Sequence, residues 1–230
     1  MKKYDMRKIW SKKNDEFAAK YFFRVCSFPF SYILINYTNI TPNVITCIGF
    51  IFGLLSIIFF SLGTFENIFL GTLFAFLFSL FDNIDGDIAR VKGLKSKFGQ
   101  WLDGVSGAII VPFIIFSIAY GLRTRAAMIV GALAMVSFPM QYSIIYSFKL
   151  FFSKDEDSLM IKRKSFLSGL IRRFRTVYGA ALFFLLLVVF MIFKRPLEFL
   201  VFQAIIGNLF WIAILFLEFT KIRKLDDESS

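Results

Sequence analysis

The sequence predicts an all-α membrane protein, with six transmembrane helices preceded by an amphipathic interfacial helix. Three observations carry this. Of 230 residues, 57% are hydrophobic and 33 are Phe, more apolar surface than a soluble domain of this size can bury. The apolar residues fall in runs of about 20, the length that crosses a hydrocarbon core. Lys and Arg gather in alternate intervals between those runs, the pattern left by membrane orientation.

The elements follow in order. Residues 14–36 place Phe17, Tyr21, Phe22, Val25 and Phe28 among Lys20 and Arg24, which predicts a helix lying on the membrane surface, interrupted at Pro29. Thr41-Pro42 reads as an N-cap and first helical residue. Spans are predicted at 44–62, 67–90, 98–120, 126–152, 177–193 and 197–219, with the short, wholly apolar fifth facing lipid. Residues 44–219 thus form a six-helix bundle and 220–230 a polar tail, all one domain over 1–230. Gly49, Gly53, Gly131 and Gly207 are expected at close helix crossings, and Gln141 and Asn208 in interhelical hydrogen bonds. The Lys-rich N-terminus lacks the features of a cleavable leader, so insertion is expected to rest on the first span.

Charge gives the orientation. Residues 1–40 carry eight Lys and Arg, 90–98 four, 149–176 eight and the tail three, whereas the alternate loops hold only Arg123, Arg125, Lys194 and Arg195. A split of 23 against four predicts both termini on the cytoplasmic side, which six spans satisfy. A net charge of +11 accordingly points to anionic membrane lipid rather than nucleic acid. Histidine is absent and there are two cysteines, Cys26 and Cys47. That excludes Ser/His and Cys/His nucleophiles and His-ligated zinc, and no disulfide is implied.

The chemistry sits at the end of the second span, in Asp82-Asn-Ile-Asp85-Gly86-Asp87-Ile-Ala89-Arg90, with Asp103 beyond it. Ionisable residues at a membrane are functional candidates by default. Asp82 and Asp85, three apart, share a helix face, and like charges so placed repel unless a cation lies between them. Asp82, Asp85 and Asp103 are therefore the candidate metal ligands. Oxygen ligands suit Mg²⁺, Mn²⁺ or Ca²⁺, and two such ions about 4 Å apart would clamp a diphosphate. Gly86, Ala89 and Gly99 would let a ligand approach the backbone, while Arg90, Lys92, Lys95 and Lys97 supply positive charge for phosphate. Asp87 lies about 140° around the helix from Asp82 at 100° per residue and reads as a solvated or hairpin-capping residue. The triplet Arg172, Arg173 and Arg175 reads either as inside-positive topology or as a site for an acceptor phosphate or lipid headgroup.

The spacing Asp82-x2-Asp85-Gly86-x2-Ala89-Arg90-x8-Gly99-x3-Asp103 resembles the signature of the CDP-alcohol phosphatidyltransferases. The resemblance includes Thr41-Pro42-Asn43 and the six-helix layout. It implies a CDP-linked donor whose diphosphate is activated by Mg²⁺ or Mn²⁺, attack by an alcohol acceptor, and release of CMP in polar-lipid biosynthesis. It also implies that Asp82, Asp85 and Asp103 hold metal, that Thr41, Asn43, Gly86, Ala89, Arg90, Ser96 and Gly99 line the nucleotide site, and that the protein forms a homodimer.

One position departs from the family. The signature ends in a fourth aspartate, proposed as general base and ligand of a second metal, and here that position is Gly107. Ser106 beside it is expected to point elsewhere. A positioned base contributes about 10²–10⁴-fold, so the sequence predicts a weakened or one-metal transferase, an acceptor that brings its own base, or an inactive metal- and nucleotide-binding homologue. A cation transporter would carry its aspartates near the bilayer midplane, which these spans do not.

Overall fold

The computed structural model describes residues 4–10, 18–152 and 179–229, and its described residues form helices joined by short turns, with no strand among them. A 3-10 turn (Met6–Trp10) and a π-helical turn (Ala19–Phe23) precede α1 (Arg24–Tyr37). Then come α2 (Pro42–Leu62), α3 (Phe65–Lys92), α4 (Lys97–Gly121) and α5 (Arg125–Phe152). After residue 179 follow α6 (Ala180–Ile192), α7 (Pro196–Phe202), a second π-helical turn (Gln203–Gly207) and α8 (Asn208–Ser229).

Each of the six predicted apolar runs holds a helix among the described residues, and five helices are long and apolar enough to cross a membrane: Pro42–Leu62, Phe65–Lys92, Lys97–Gly121, Arg125–Ile145 and Pro196–Thr220. The remaining helix, α6, has 13 described residues, about 20 Å against a core of about 30 Å. In the most apolar 18-residue window of each, between 28% and 50% of the residues are buried within the protein. The others keep side-chain surface outside the bundle, which lipid would cover.

Helix ends follow from local chemistry. Pro42 starts α2 at N1 after an extended Thr41, where its missing N–H costs nothing. Gly63 closes α2 at φ 73°, and Thr64 caps α3 by accepting a hydrogen bond from the Asn67 N–H. A Cβ on Gly63 would lie 2.0 Å from the Gly121 carbonyl oxygen, so the α2–α3 turn is pressed backbone to backbone onto the end of α4. At the opposite end of α3, Gly93 (φ 71°) stops the helix and Ser96 caps α4, its hydroxyl accepting the Gly99 N–H at 2.9 Å.

α3 is the centre of the bundle. It packs along α2, α1 and α6, while α4 lies on α2, α5 on α4 and α8 on α5. Phe60, Ala75, Phe78, Ile110, Ile114 and Phe183 fill the middle. A second cluster, Ile9, Ile35, Ile45, Ile84 and Ile88, sits beneath the aspartate-bearing end of α3. Gly53 lies against Ile110, Gly131 against Ala119, Gly49 against Phe81 and Gly207 against Ser137, so all four glycines read as packing points occupy helix crossings. Asn208 donates to the Leu133 carbonyl at 2.9 Å, joining α8 to α5 as expected, and Gln203 adds a bond to Ser137 at 3.1 Å.

The helix ahead of the bundle departs from expectation at Pro29, which does not interrupt it: α1 runs through that residue, at the loss of one backbone hydrogen bond. Of the apolar residues expected to face the membrane, Phe17 lies outside the described residues, and Tyr21 and Val25 point away from the protein. The buried side carries Phe23, Arg24, Ser27, Ser31 and Ile35, because α1 is packed along α3.

Candidate functional site

The motif residues converge where the ends of α2, α3 and α4 meet. Asp85 is 6% exposed, and one of its carboxylate oxygens accepts a 2.6 Å hydrogen bond from the Thr46 hydroxyl of α2. Thr46 is itself placed by a contact to the Pro42 carbonyl one turn back. Asp82, a turn earlier on the same face, opens with Asp85 onto a narrow cleft lined also by Thr46, Gly49, Phe78 and Ser106, with no space for a water molecule. Asp103, half-buried on α4, is close enough to Asp85 for the two carboxylates to repel. The aspartates thus meet as overlapping pairs, Asp82 with Asp85 and Asp85 with Asp103. Among the described residues no three acidic, His or Cys side chains already form a cage for an ion.

The proposed nucleotide-site residues separate into two groups. Asn43, Ser96 and Gly99 come together: a Cβ on Gly99 would stand 2.9 Å from Asn43 Oδ1 and 3.1 Å from Ser96 Oγ. Gly86 and Arg90 form the second group, since a Cβ on Gly86 would lie 3.1 Å from Arg90 Nη1. The glycine leaves room for the guanidinium to lie across the α3 backbone next to Asp85. Ala89 serves through its carbonyl, which accepts the N–H groups of Gly93 and Leu94 and so fixes the turn into α4. The exposed Thr41 side chain makes no cap bond.

Three residues behave differently from their sequence reading. Asp87 is not solvated: it is fully buried, accepts from Ser31 at 2.9 Å and pairs with Arg90 at 2.5 Å. Lys92 does not face outward for phosphate. Its ammonium reaches the carbonyls of Leu34, Thr38 and Ile40, at 3.4, 2.8 and 3.4 Å, where a cation suits the negative end of α1. Ser106 does not point elsewhere: it lines the cleft beside Asp82 and Asp85 while donating back to the Asp103 carbonyl at 2.8 Å.

Gly107 is open ground. A Cβ there would meet no heavy atom within 4 Å. Beside it runs a groove of about 430 Å³ lined by Lys97, Gln100, Trp101, Gly104, Val105, Ala108 and Tyr142. At about 100° per residue, Gly107 falls on α4 between Asp103 and that groove. Arg172, Arg173 and Arg175 lie outside the described residues. Sequence reasoning missed Thr46 and the Ser31–Asp87 contact. A signal for the second was present: Arg24, Ser27 and Ser31 fall at helical spacing on one face of an otherwise aromatic segment, a polar stripe that needs a polar partner.

The fold and these motif residues belong to one class of integral membrane protein. The family model for CDP-alcohol phosphatidyltransferase matches residues 39–217, and the chain belongs to that family. Among relatives, an archaetidylinositol phosphate synthase of Pyrococcus horikoshii is 38% identical over 83 residues, 36% of this chain and 43% of that one. A phosphatidylinositol phosphate synthase of Mycobacterium marinum is 27% identical over 104 residues, 43% of each chain. A bifunctional IPC transferase and DIPP synthase of Aquifex aeolicus is 31% identical over 104 residues, 45% of this chain and 23% of that one. The chain matches less than half the length of these three relatives.

Proposed function

We propose that this protein transfers a substituted phosphate from a CDP-linked donor to an alcohol, releasing CMP, with the site and both termini facing the cytoplasm. The observation that carries the reading is the motif pair Asp82 and Asp85 opening onto one cleft, with Asp85 buried against Thr46 and neighboured by Asp103. All the donors are oxygens, which fits Mg²⁺ or Mn²⁺. Asp82, Asp85 and Asp103 would hold it, once their side chains close on a common ion. Bound there, a divalent cation would offset the charge of the donor diphosphate.

The chain's own residues account for the rest. Arg90, laid across Gly86, offers guanidinium N–H groups to a phosphate, and Asn43, Ser96 and Gly99 form the neighbouring wall for the nucleotide. The acceptor oxygen bonds to the phosphorus distal to cytidine. The bond between that phosphorus and the bridging oxygen breaks, and its electron pair leaves with CMP. The acceptor's proton must go to a base, and none stands at Gly107. The groove beside Gly107 is the space from which the acceptor would approach. Two relatives are named for inositol phosphate products, so inositol phosphate heads the acceptors to try; Arg172, Arg173 and Arg175 are candidates to hold its phosphate.

Membranes containing the protein should release CMP from CDP-diacylglycerol with inositol phosphate and Mg²⁺, and stop on chelation. Gly107 favours a second reading, a homologue that binds metal and nucleotide without turnover. It predicts CDP binding with no CMP release from any acceptor, whereas absence of both binding and release would sink both readings.

A further inference from the structure

Behind Arg90 lies a buried polar network whose carboxylate and hydroxyl have no part in the chemistry just described. Asp87 is fully buried and takes a hydrogen bond from Ser31 Oγ of α1 at 2.9 Å. On its other oxygen it holds Arg90 Nη2 at 2.5 Å. Arg24 of α1 lies close enough to interact electrostatically with the same carboxylate, and donates from Nη1 to the Ile9 carbonyl. Ile9 is itself fully buried in the cluster with Ile84 and Ile88. A single carboxylate therefore balances cations from two helices.

The geometry matters for Arg90. Its far nitrogen, Nη1, lies over Gly86, one residue from Asp85, while Nη2 is held from behind. An arginine side chain has four torsions to fix, and a planar fork held along one edge presents its other edge in a set direction. A hydrogen-bonded partner behind a ligand-binding side chain orients it in the way outer-shell groups orient metal ligands. Asp87 points about 140° away from Asp82 around α3, so it does not compete for the cleft.

We propose that Asp87, held by Ser31 of α1, is a positioning residue that fixes the Arg90 guanidinium across Gly86, where it meets the phosphates of a CDP-linked donor. The inference rests on the donor reading above. It gives the helix ahead of the bundle a direct role in that site: α1 supplies the hydroxyl that holds the carboxylate that aims the arginine.

The test is calorimetric binding of CDP with Mg²⁺ to the purified full chain in nanodiscs. Charge-assisted hydrogen bonds of this kind are worth about tenfold or more, so Asp87→Asn and Arg90→Gln should each weaken CDP binding by at least that factor. The double variant should be no weaker than Arg90→Gln alone, because both changes remove one interaction. A merely structural Asp87 would lower the melting temperature while leaving CDP affinity unchanged, or would add its loss to that of Arg90→Gln; either overturns the proposal. Should Asp87→Asn fail to fold, Ser31→Ala removes one hydrogen bond and no charge. It should weaken CDP binding about threefold in the wild-type background and not at all in Arg90→Gln, and an equal loss in both backgrounds overturns it. Wild-type protein that binds no CDP overturns the donor reading together with this one, whereas wild-type binding with an unaffected Asp87→Asn overturns the positioning role alone.

Discussion

Replacing Gly107 with aspartate is the sharpest perturbation available. The position lies four residues after Asp103, so the two Cβ atoms would be about 5–6 Å apart on one helix face. A Cβ there meets nothing within 4 Å, so no cavity must open and no neighbour must move. Two small effects oppose each other: aspartate is slightly the better helix former, and a like-charge pair at this spacing costs about 0.2–0.5 kcal/mol. Stability should therefore stay within about 0.5 kcal/mol of wild type, which thermal unfolding in detergent would register as a near-identical midpoint. Catalysis should change far more. A base restored beside the acceptor groove should raise CMP release from CDP-diacylglycerol by about 10²–10⁴-fold. Gly107→Asn is the matched control, with the same shape and no base, and should give none of the gain. A folded Gly107→Asp protein that binds CDP and releases CMP no faster than wild type would refute the idea that the missing base limits turnover.

Two further outcomes follow from contacts around the site. Thr46→Val removes the 2.6 Å hydrogen bond to Asp85 without changing side-chain volume much; Mg²⁺ affinity, read by calorimetry, should fall about 10–100-fold while the protein remains folded. Lys92→Met removes the ammonium that gathers three carbonyls at the end of α1. It should lower unfolding stability by about 1–3 kcal/mol, with α1 becoming the first segment to exchange its amide hydrogens and Mg²⁺ affinity unchanged.

The helices and the motif were legible in the sequence because both are local. A run of Phe, Ile and Leu declares a membrane helix wherever it packs, and Asp82, Asp85, Gly86, Ala89 and Arg90 lie within one stretch of nine residues. What escaped were contacts between residues far apart in the chain. Thr46 and Asp85 are 39 positions apart, Ser31 and Asp87 are 56, and Lys92 reaches back 52 to 58. Hydropathy places these residues on helices without saying which helix faces which. Asp87 shows the cost: beside a basic hairpin it looked solvated, and only the packing of α1 onto α3 buries it. α1 misled in the same way. Its aromatic residues marked a membrane-facing side, but they said nothing of the polar stripe on the other side, which faces the protein.

The bundle is pinned at one end and carries its aspartates at the other. The Gly63–Gly121 contact leaves no slack where α2, α3 and α4 meet far from the aspartates, while Asp103 lies 18 residues along α4 from that point, about 27 Å at 1.5 Å per residue. Such an arrangement works like a pair of tongs. Over that length each degree of tilt about the pinned end shifts the Asp103 end of α4 relative to α3 by about 0.5 Å. The two glycines, remote from the aspartates, in this sense help set how far the carboxylates of α3 and α4 stand apart.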